Sequence, residues 1–413
     1  METYKIKTYK YRWIILFIFM LMMAMQQLLW ITFAAITSDT AAFYKISELD
    51  VGLLSMVFMV VYIFVSIPAS WIIDTFGFRI GVGIGALLTG IFGLLRGVFA
   101  ANYTLVLIFQ IGIAIGQPFV VNAVTTVSTR WFPIRERGLA SGLSWLAGYS
   151  GLIIGLVLTP YLIASGSIPS MLVIYGAAAF ASAILFILLT KENPPTPQCK
   201  PEEEERSLVF DGLKQMLKKK DFLMLMIVFF VCLGIFNGIS TWIEDILKPH
   251  GFTSVQAGII GGGMIASGVI GSAVIPTFSD IVKNRVKVII LALAGSIPGL
   301  IGITYGTSFL VVMISACILG FFMLSCAPLG FQYGSEIAFP APEGTSTGLL
   351  MMMGQIAGVI FIVGIDALKS PKTDSMSLPM NLLIAILIIG VLMCFSLKEP
   401  ELVKQEVQEN LQS

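Results

Sequence analysis

Charge is what this sequence has least of. Asp, Glu, Lys and Arg make up 12% of its 413 residues, about half of the ~25% usual in soluble domains. Acids and bases nearly cancel, leaving a net charge of +1, so nothing here marks nucleic acid as a partner. There is one histidine, His250. The five cysteines (Cys199, Cys232, Cys317, Cys326, Cys394) have no metal-ligand spacing and are expected as free thiols, with no cofactor or metal. No phosphate-binding loop, catalytic triad or metal-ligand cluster occurs, so the sequence does not read as an enzyme. Nor does any carboxylate fall near the middle of a long apolar run, where a proton relay is expected.

What is present is apolar. Hydrophobic residues reach 57% and the mean hydropathy is +0.92. They fall into twelve runs near the ~20 residues a helix needs to cross a bilayer. The runs span 13–36, 51–73, 80–100, 104–128, 138–163 and 169–190, then 222–246, 256–281, 286–305, 308–334, 345–368 and 377–397. The first is too long for a signal-peptide core and is followed by others, so it reads as a membrane helix. The expected fold is therefore all-α, twelve transmembrane helices in a lipid bilayer, and a monomer.

Basic residues orient the chain. Lys5, Lys7, Lys10 and Arg12 precede the first run, Arg79 follows the second, and Arg130, Arg135 and Arg137 lie between the fourth and fifth. Lys214, Lys218, Lys219 and Lys220 precede the seventh, and Lys283, Arg285 and Lys287 separate the eighth and ninth. If the spans alternate, all of these share one side, which the positive-inside rule makes cytoplasmic. The expectation is a multi-pass protein of the cell membrane with both termini in the cytoplasm. The apolar pattern stops at KENPPTPQCKPEEEER, and DGLKQMLKKK then reads as a short surface helix. This divides the chain into a bundle at 1–190, a cytoplasmic linker at 191–220, and a second bundle with its tail at 221–413.

The halves repeat each other. FPIRERGLASGL from Phe132 is echoed by FPAPEGTSTGL from Phe339: the Phe, the Pro and a Glu (Glu136, Glu343) recur at an offset of 207 residues. DTFGFR, Asp74 to Arg79, is echoed by DIVKNR, Asp280 to Arg285, at an offset of 206. Two parallel six-helix repeats are the mark of the major facilitator fold, with a solute site expected near the midplane. The first loop also resembles that superfamily's signature, G-x-L-x-D-R-x-G-R-R/K. Asp74, Gly77 and Arg79 match; Ser70, Thr75 and Phe78 depart from it.

In physical terms, Asp74 or Asp280 at a helix end can meet the positive N-terminus of a neighbouring helix and the nearby Arg79 or Arg285, latching one conformational state. The alternative is that these are solvated charges that set topology. Repetition in both halves favours a gating role for Asp74, Gly77, Arg79, Asp280 and Arg285. Glu136 and Glu343 read as first-turn charges that complement a helix dipole.

Three longer stretches narrow the family. LSMVFMVVYIFVSIPASWIIDTFGFR from Leu54, GQPFVVNAVTTVSTRWFP from Gly116 and APLGFQYGSEIAFPAPEGTSTGLLMMMGQIAG from Ala327 resemble the feline leukaemia virus subgroup C receptor family, as does WITFAAI from Trp30. The resemblance implies a carrier of choline and ethanolamine, with haem also attributed to the family. It implies that Trp30, matching a first-helix tryptophan, forms one wall of an aromatic cage for a cation. It further implies that Gln117 and Gln355 match family glutamines on the fourth and eleventh helices. The family's seventh-helix tyrosine does not carry over: Asn237 stands near its position, with Trp242 further on.

The residues themselves leave alternatives open. Trp30 lies about 25 Å along its helix at ~1.5 Å per residue, where an interfacial belt tryptophan is common; a cation–π wall is the other reading. Gln117 and Gln355 lie inside apolar helices and must face the bundle interior. They serve a cavity or a helix–helix hydrogen bond, and Gln117 has the further option of repairing a kink at Pro118. Asn122, Tyr62, Asn237 and Trp242 are secondary cavity candidates. Of Gln26 and Gln27, at most one faces a cavity. Glu244 and Asp245 read as helix-end acids near the outer mouth. The fourth span lacks the arginine, and the fifth the Gly-Pro pair, usual in proton-coupled drug exporters, so a facilitative carrier (uniporter) fits best, and the family resemblance implies a small amine or quaternary-ammonium solute for it. The alternatives are an exporter of a larger amphipathic solute such as haem or a drug, for which a lone loop histidine is thin support, and a non-transporting sensor on a carrier fold.

Overall fold

The computed structural model describes residues 9–195, 216–282, 284–338, 343–370 and 375–399, without the side chains of Ile134, Arg135, Asp280, Glu343, Gly344 and Thr345. Most of the expected linker with its surface helix, Cys199, Phe339 and Pro340 therefore lie outside the described residues, as does the side chain of Asp280. All regular structure among the described residues is helical, and twelve helices are long and apolar enough to cross a membrane. The chain separates into two compact units, Met1–Arg206 and Ser207–Ser413.

In the first unit α1 (Tyr11–Ile31) is followed by a short α2 (Thr37–Tyr44), then α3 (Glu48–Phe76), α4 (Phe78–Val98), α5 (Tyr103–Val121), α6 (Val124–Trp131), α7 (Ile134–Ser165) and α8 (Ile168–Leu189). Helix α1 packs on α7, α3 on α5, and α4 on both α5 and α8. Caps set the boundaries. Ser47 and Asp50 form a capping box at the start of α3, and Asn102 accepts the Leu105 N–H at 3.2 Å at the start of α5; each satisfies an orphan donor of the first turn. Lys45 closes α2 in the left-handed conformation.

Of the expected spans, the first ends early and the fourth, Tyr103–Trp131, is interrupted. The expected first span reaches residue 36, but α1 stops at Ile31. The fourth is two helices, broken at Asn122–Ala123. Pro118 lies one turn before that break and has no N–H to offer the helical ladder.

The second unit repeats the plan with α9 (Lys220–Thr241), a short α10 (Ile243–Leu247), α11 (Ser254–Val282), α12 (Arg285–Tyr305), α13 (Phe309–Ala338), α14 (Glu343–Ala367) and α15 (Ser377–Cys394). Here α9 packs on α14, and α13 on both α11 and α12. The α11–α13 crossing is very close. A Cβ on Gly320 would collide with the Met264 carbonyl oxygen, and one on Gly271 with the Phe321 carbonyl. Where lipid gives helices no hydrophobic reason to associate, such small residues let backbones approach for dispersion contact. Cys232, Cys317, Cys326 and Cys394 are free.

The repeated loops hold a device that the loop motif alone does not reveal. Gly77, at φ +93°, joins α3 to α4 in a conformation that favours glycine. Glu192, just beyond α8, accepts the Phe78 N–H at 3.1 Å and the Arg79 N–H at 2.7 Å, and pairs with Arg130 at 3.0 Å. In the second unit Glu399, just beyond α15, accepts the Val286 N–H at 2.7 Å. Glu192 and Glu399 are 207 residues apart, as are Arg79 and Val286. A carboxylate from the last span thus caps the third span of each unit, where orphan N–H groups and the positive dipole end favour an anion.

The gating candidates sit around these caps. The Asp74 and Arg79 side chains are exposed. Arg285 is buried, pairs with Glu336 at 3.1 Å and donates to Ser279 Oγ at 3.2 Å. Glu136 does more than complement a dipole: it pairs with Arg12 at 2.9 Å, tying the start of α7 to that of α1, while the Arg12 guanidinium lies 5.4 Å from the Phe132 ring centroid.

Candidate functional site

In the first unit Trp30 is the penultimate residue of α1 and only 7% exposed. Its indole N–H donates to the Ser55 carbonyl on α3 at 3.2 Å, and Ser55 Oγ donates to the Trp30 carbonyl at 3.4 Å. An interfacial belt tryptophan would present its ring to lipid headgroups; this one faces its own bundle. One turn earlier, the fully buried Gln26 donates to Thr89 Oγ1 on α4, which donates onward to Gly85 O at 2.7 Å. Gln26 therefore joins helices, while Gln27 is half-buried beside Gly148 of α7.

Gln117 behaves differently. It is 8% exposed, hydrogen-bonds to no described residue, and its amide is not sealed from solvent. Neither the helix–helix bond nor the kink repair expected as alternatives is made. Asn122, at the break between α5 and α6, is the hub of a polar cluster. It accepts the Tyr62 hydroxyl at 2.8 Å and donates to Ser66 Oγ at 3.0 Å and Ser70 Oγ at 2.9 Å. Tyr62, Ser66 and Ser70 follow one another at four-residue spacing on one face of α3, so the cluster is a stripe that the helical period creates.

In the second unit Asn237 stands 207 residues after Trp30, at the equivalent place on α9. It is 8% exposed and donates to the Gly354 carbonyl of α14 at 3.3 Å. The next residue of α14, Gln355, is half-buried and hydrogen-bonds to no described residue. Trp242, expected as a cavity candidate, is 0% exposed, with its indole N–H donated to the Ile362 carbonyl at 3.0 Å. Neither ring face is open to a solute. Glu244 and Asp245, read as mouth residues, are buried, and Glu244 accepts from Ser254 Oγ at 3.0 Å. His250 Nδ1 lies 2.7 Å from the Gly306 carbonyl.

Sequence reasoning missed several of these residues. Ser55 and Thr89 carry no signal in an apolar helix until their neighbours are known. The caps do carry one: Lys191-Glu192 and Lys398-Glu399 are the same dipeptide at the same offset of 207.

The description of the Major Facilitator Superfamily matches residues 13–362. Together with the twelve spans and the two repeated units, this makes the chain a membrane transporter that belongs to that superfamily. Relatives refine the placement. The chain is 30% identical over 386 residues to solute carrier family 49 member A3 of Xenopus tropicalis, covering 89% of this chain and 80% of that one. It is 27% identical over 408 residues to the choline/ethanolamine transporter FLVCR1 of Felis catus, covering 92% and 72%. With the choline/ethanolamine transporter FLVCR2 of Rattus norvegicus the identity is 25%, covering 87% and 69%. The family resemblance read from the sequence stretches is thus borne out. Among solved structures, an inward-facing, unoccupied bacterial homologue of the human lysosomal transporter Spinster matches with a TM-score of 0.74 at 16% identity, covering 94% of this chain and 97% of that one. That likeness concerns the fold alone.

Proposed function

We propose that this transporter is a facilitative carrier, a uniporter, of a small amine or quaternary-ammonium solute such as choline or ethanolamine, working by alternating access. The observation that carries the reading is the pair of unengaged amides, Gln117 and Gln355, in spans whose other glutamines and asparagines are largely hydrogen-bonded. An amide kept in an apolar span yet fastened to no other helix is available to a solute. Choline and ethanolamine each carry one hydroxyl and one cationic head. In the first unit Gln117 suits the hydroxyl, and Trp30 supplies the aromatic face that draws an ammonium. In the second unit Gln355 offers the same amide chemistry, with Asn237 beside it. The basic segments support an orientation with both termini on the cytoplasmic side of the cell membrane.

The experiment is equilibrium binding to purified protein by calorimetry, comparing choline with its neutral carbon isostere 3,3-dimethylbutan-1-ol. The two share shape and hydroxyl and differ only in charge. Choline is expected to bind more tightly by about 2- to 30-fold, the range that a cation–π contact of ~0.5–2 kcal/mol supplies. Equal affinity, or no choline binding by folded protein, would remove cation recognition from the account.

A further inference from the structure

Helix α1 ends inside its bundle, and the carbonyls of its last turn have no continuing helix to bond. Side chains of three neighbouring helices and the turn that follows supply the donors. Thr32 Oγ1 donates to Leu28 O at 2.8 Å, Ser55 Oγ to Trp30 O at 3.4 Å, and the Ala34 N–H to Ile31 O at 3.0 Å. Leu29 O takes two bonds, from Arg96 Nη1 of α4 at 3.4 Å and from Gln110 Nε2 of α5 at 3.2 Å.

Arg96 is the unusual member of this set. Its side chain is 0% exposed, and among the described residues no carboxylate pairs with it. It donates to Gln110 Oε1 at 2.5 Å and lies 5.5 Å from the Phe33 ring centroid. A buried charge in a membrane helix marks a functional device by default, because it costs free energy that packing alone would not demand. Here its counter-charge is the negative end of α1, where a cation is favoured.

Gln110 extends the connection. The amide that bonds Leu29 O also donates to Leu54 O at 3.0 Å. Leu29 and Leu54 immediately precede Trp30 and Ser55, the two residues that hold each other's carbonyls. One amide, oriented by one guanidinium, thus sets the two strands of backbone that clasp the indole.

We propose that Arg96 and Gln110 are a positioning pair that fixes the place and tilt of the Trp30 ring for an incoming ammonium. This rests on the reading of Trp30 as a cation wall, and nothing in the carrier assignment itself assigns them a role. They touch no solute; they act through the end of α1.

The test uses the full chain labelled with 5-fluorotryptophan, with the Trp30 resonance assigned by its loss in Trp30→Phe. Gln110→Leu and Arg96→Met are expected to shift the Trp30 fluorine resonance and leave those of Trp131 and Trp242 in place. In choline transport both are expected to raise KM by about 2- to 30-fold, the span of a cation–π contact, with kcat held. Arg96→Lys, which keeps the charge but not the planar fork, is expected to recover part of the loss. An unmoved Trp30 resonance in folded Gln110→Leu overturns the proposal. So does a fall in kcat that merely tracks lowered thermal stability. If the resonance moves but the wild-type chain binds no choline, the positioning stands and the choline reading fails.

Discussion

Trp30→Ala is expected to reduce choline uptake at low solute concentration by at least the ~2- to 30-fold of a lost cation–π contact. The loss has two sources. One is the aromatic face itself. The other is structural: the indole is 7% exposed and bonded to Ser55, so its removal leaves a void and takes a donor from the Ser55 carbonyl on α3. Truncating a buried aromatic in this way costs about 3–5 kcal/mol of stability. Trp30→Phe separates the two. It keeps a π face and most of the volume, and loses only the N–H bond to Ser55. On the cation-wall reading Trp30→Phe transports with a modestly raised KM, while Trp30→Ala is the more impaired of the two. If Phe and Ala are equally impaired at equal thermal stability, the indole N–H rather than the ring face is what matters. Initial rates in liposomes, beside the unfolding midpoint of each variant, decide between these.

Gly320→Val is expected to have the largest effect on the fold. Added carbons at this position meet the Met264 carbonyl of α11 and lie 2.9 Å from Ser267 Oγ, if the backbones stay where they are. A backbone carbonyl cannot rotate away as a flexible side-chain end can, so the helices must separate. Overpacking a tight core costs about 1–3 kcal/mol and more where the backbone must move. That is a large share of the ~5–15 kcal/mol by which a folded chain is stable. The matched control is Gly364→Ala on α14, where an added Cβ meets nothing within 4 Å. There the better helix propensity of alanine, about 1 kcal/mol, should hold or raise the midpoint. Thermal unfolding followed by gel filtration is the measurement. A Gly320→Val midpoint equal to that of Gly364→Ala would mean that the α11–α13 crossing is not as close as described.

Most of the fold is legible in the sequence because a bilayer imposes length and apolarity on every span. Twelve runs of the required length read directly as twelve helices, and two repeated loop motifs read as two repeated units. What the apolar pattern hides are interruptions. Phe33, Ala34 and Ala35 keep the first run hydrophobic across the point where α1 ends, and Val120, Val121, Ala123 and Val124 do the same around the break at Asn122. At the end of α1 polar groups from other helices take over free carbonyls, and at the second break the Asn122 side chain bonds across to α3; hydropathy along one segment registers neither. Trp30, Gln117 and Gln355 are legible because a large aromatic or an amide in an apolar helix demands an explanation. The structure then separates amides that fasten helices, Gln26 and Gln110, from those that do not, Gln117 and Gln355. The sequence pattern alone sets Trp242 beside the second set and gives Arg96 no role. Burial shows the first to be enclosed and the second to cap a helix.

The most direct test of the central claim is flux of labelled choline into liposomes holding purified protein, with a membrane potential imposed and empty liposomes alongside. A uniporter of a cation is expected to give saturable uptake that an inside-negative potential drives, the electrical term being about 2.3 kcal/mol per charge for each ~100 mV. A pH gradient of either sign should leave the rate unchanged. Choline binding without flux, or flux that follows a proton gradient and ignores the potential, would contradict the account.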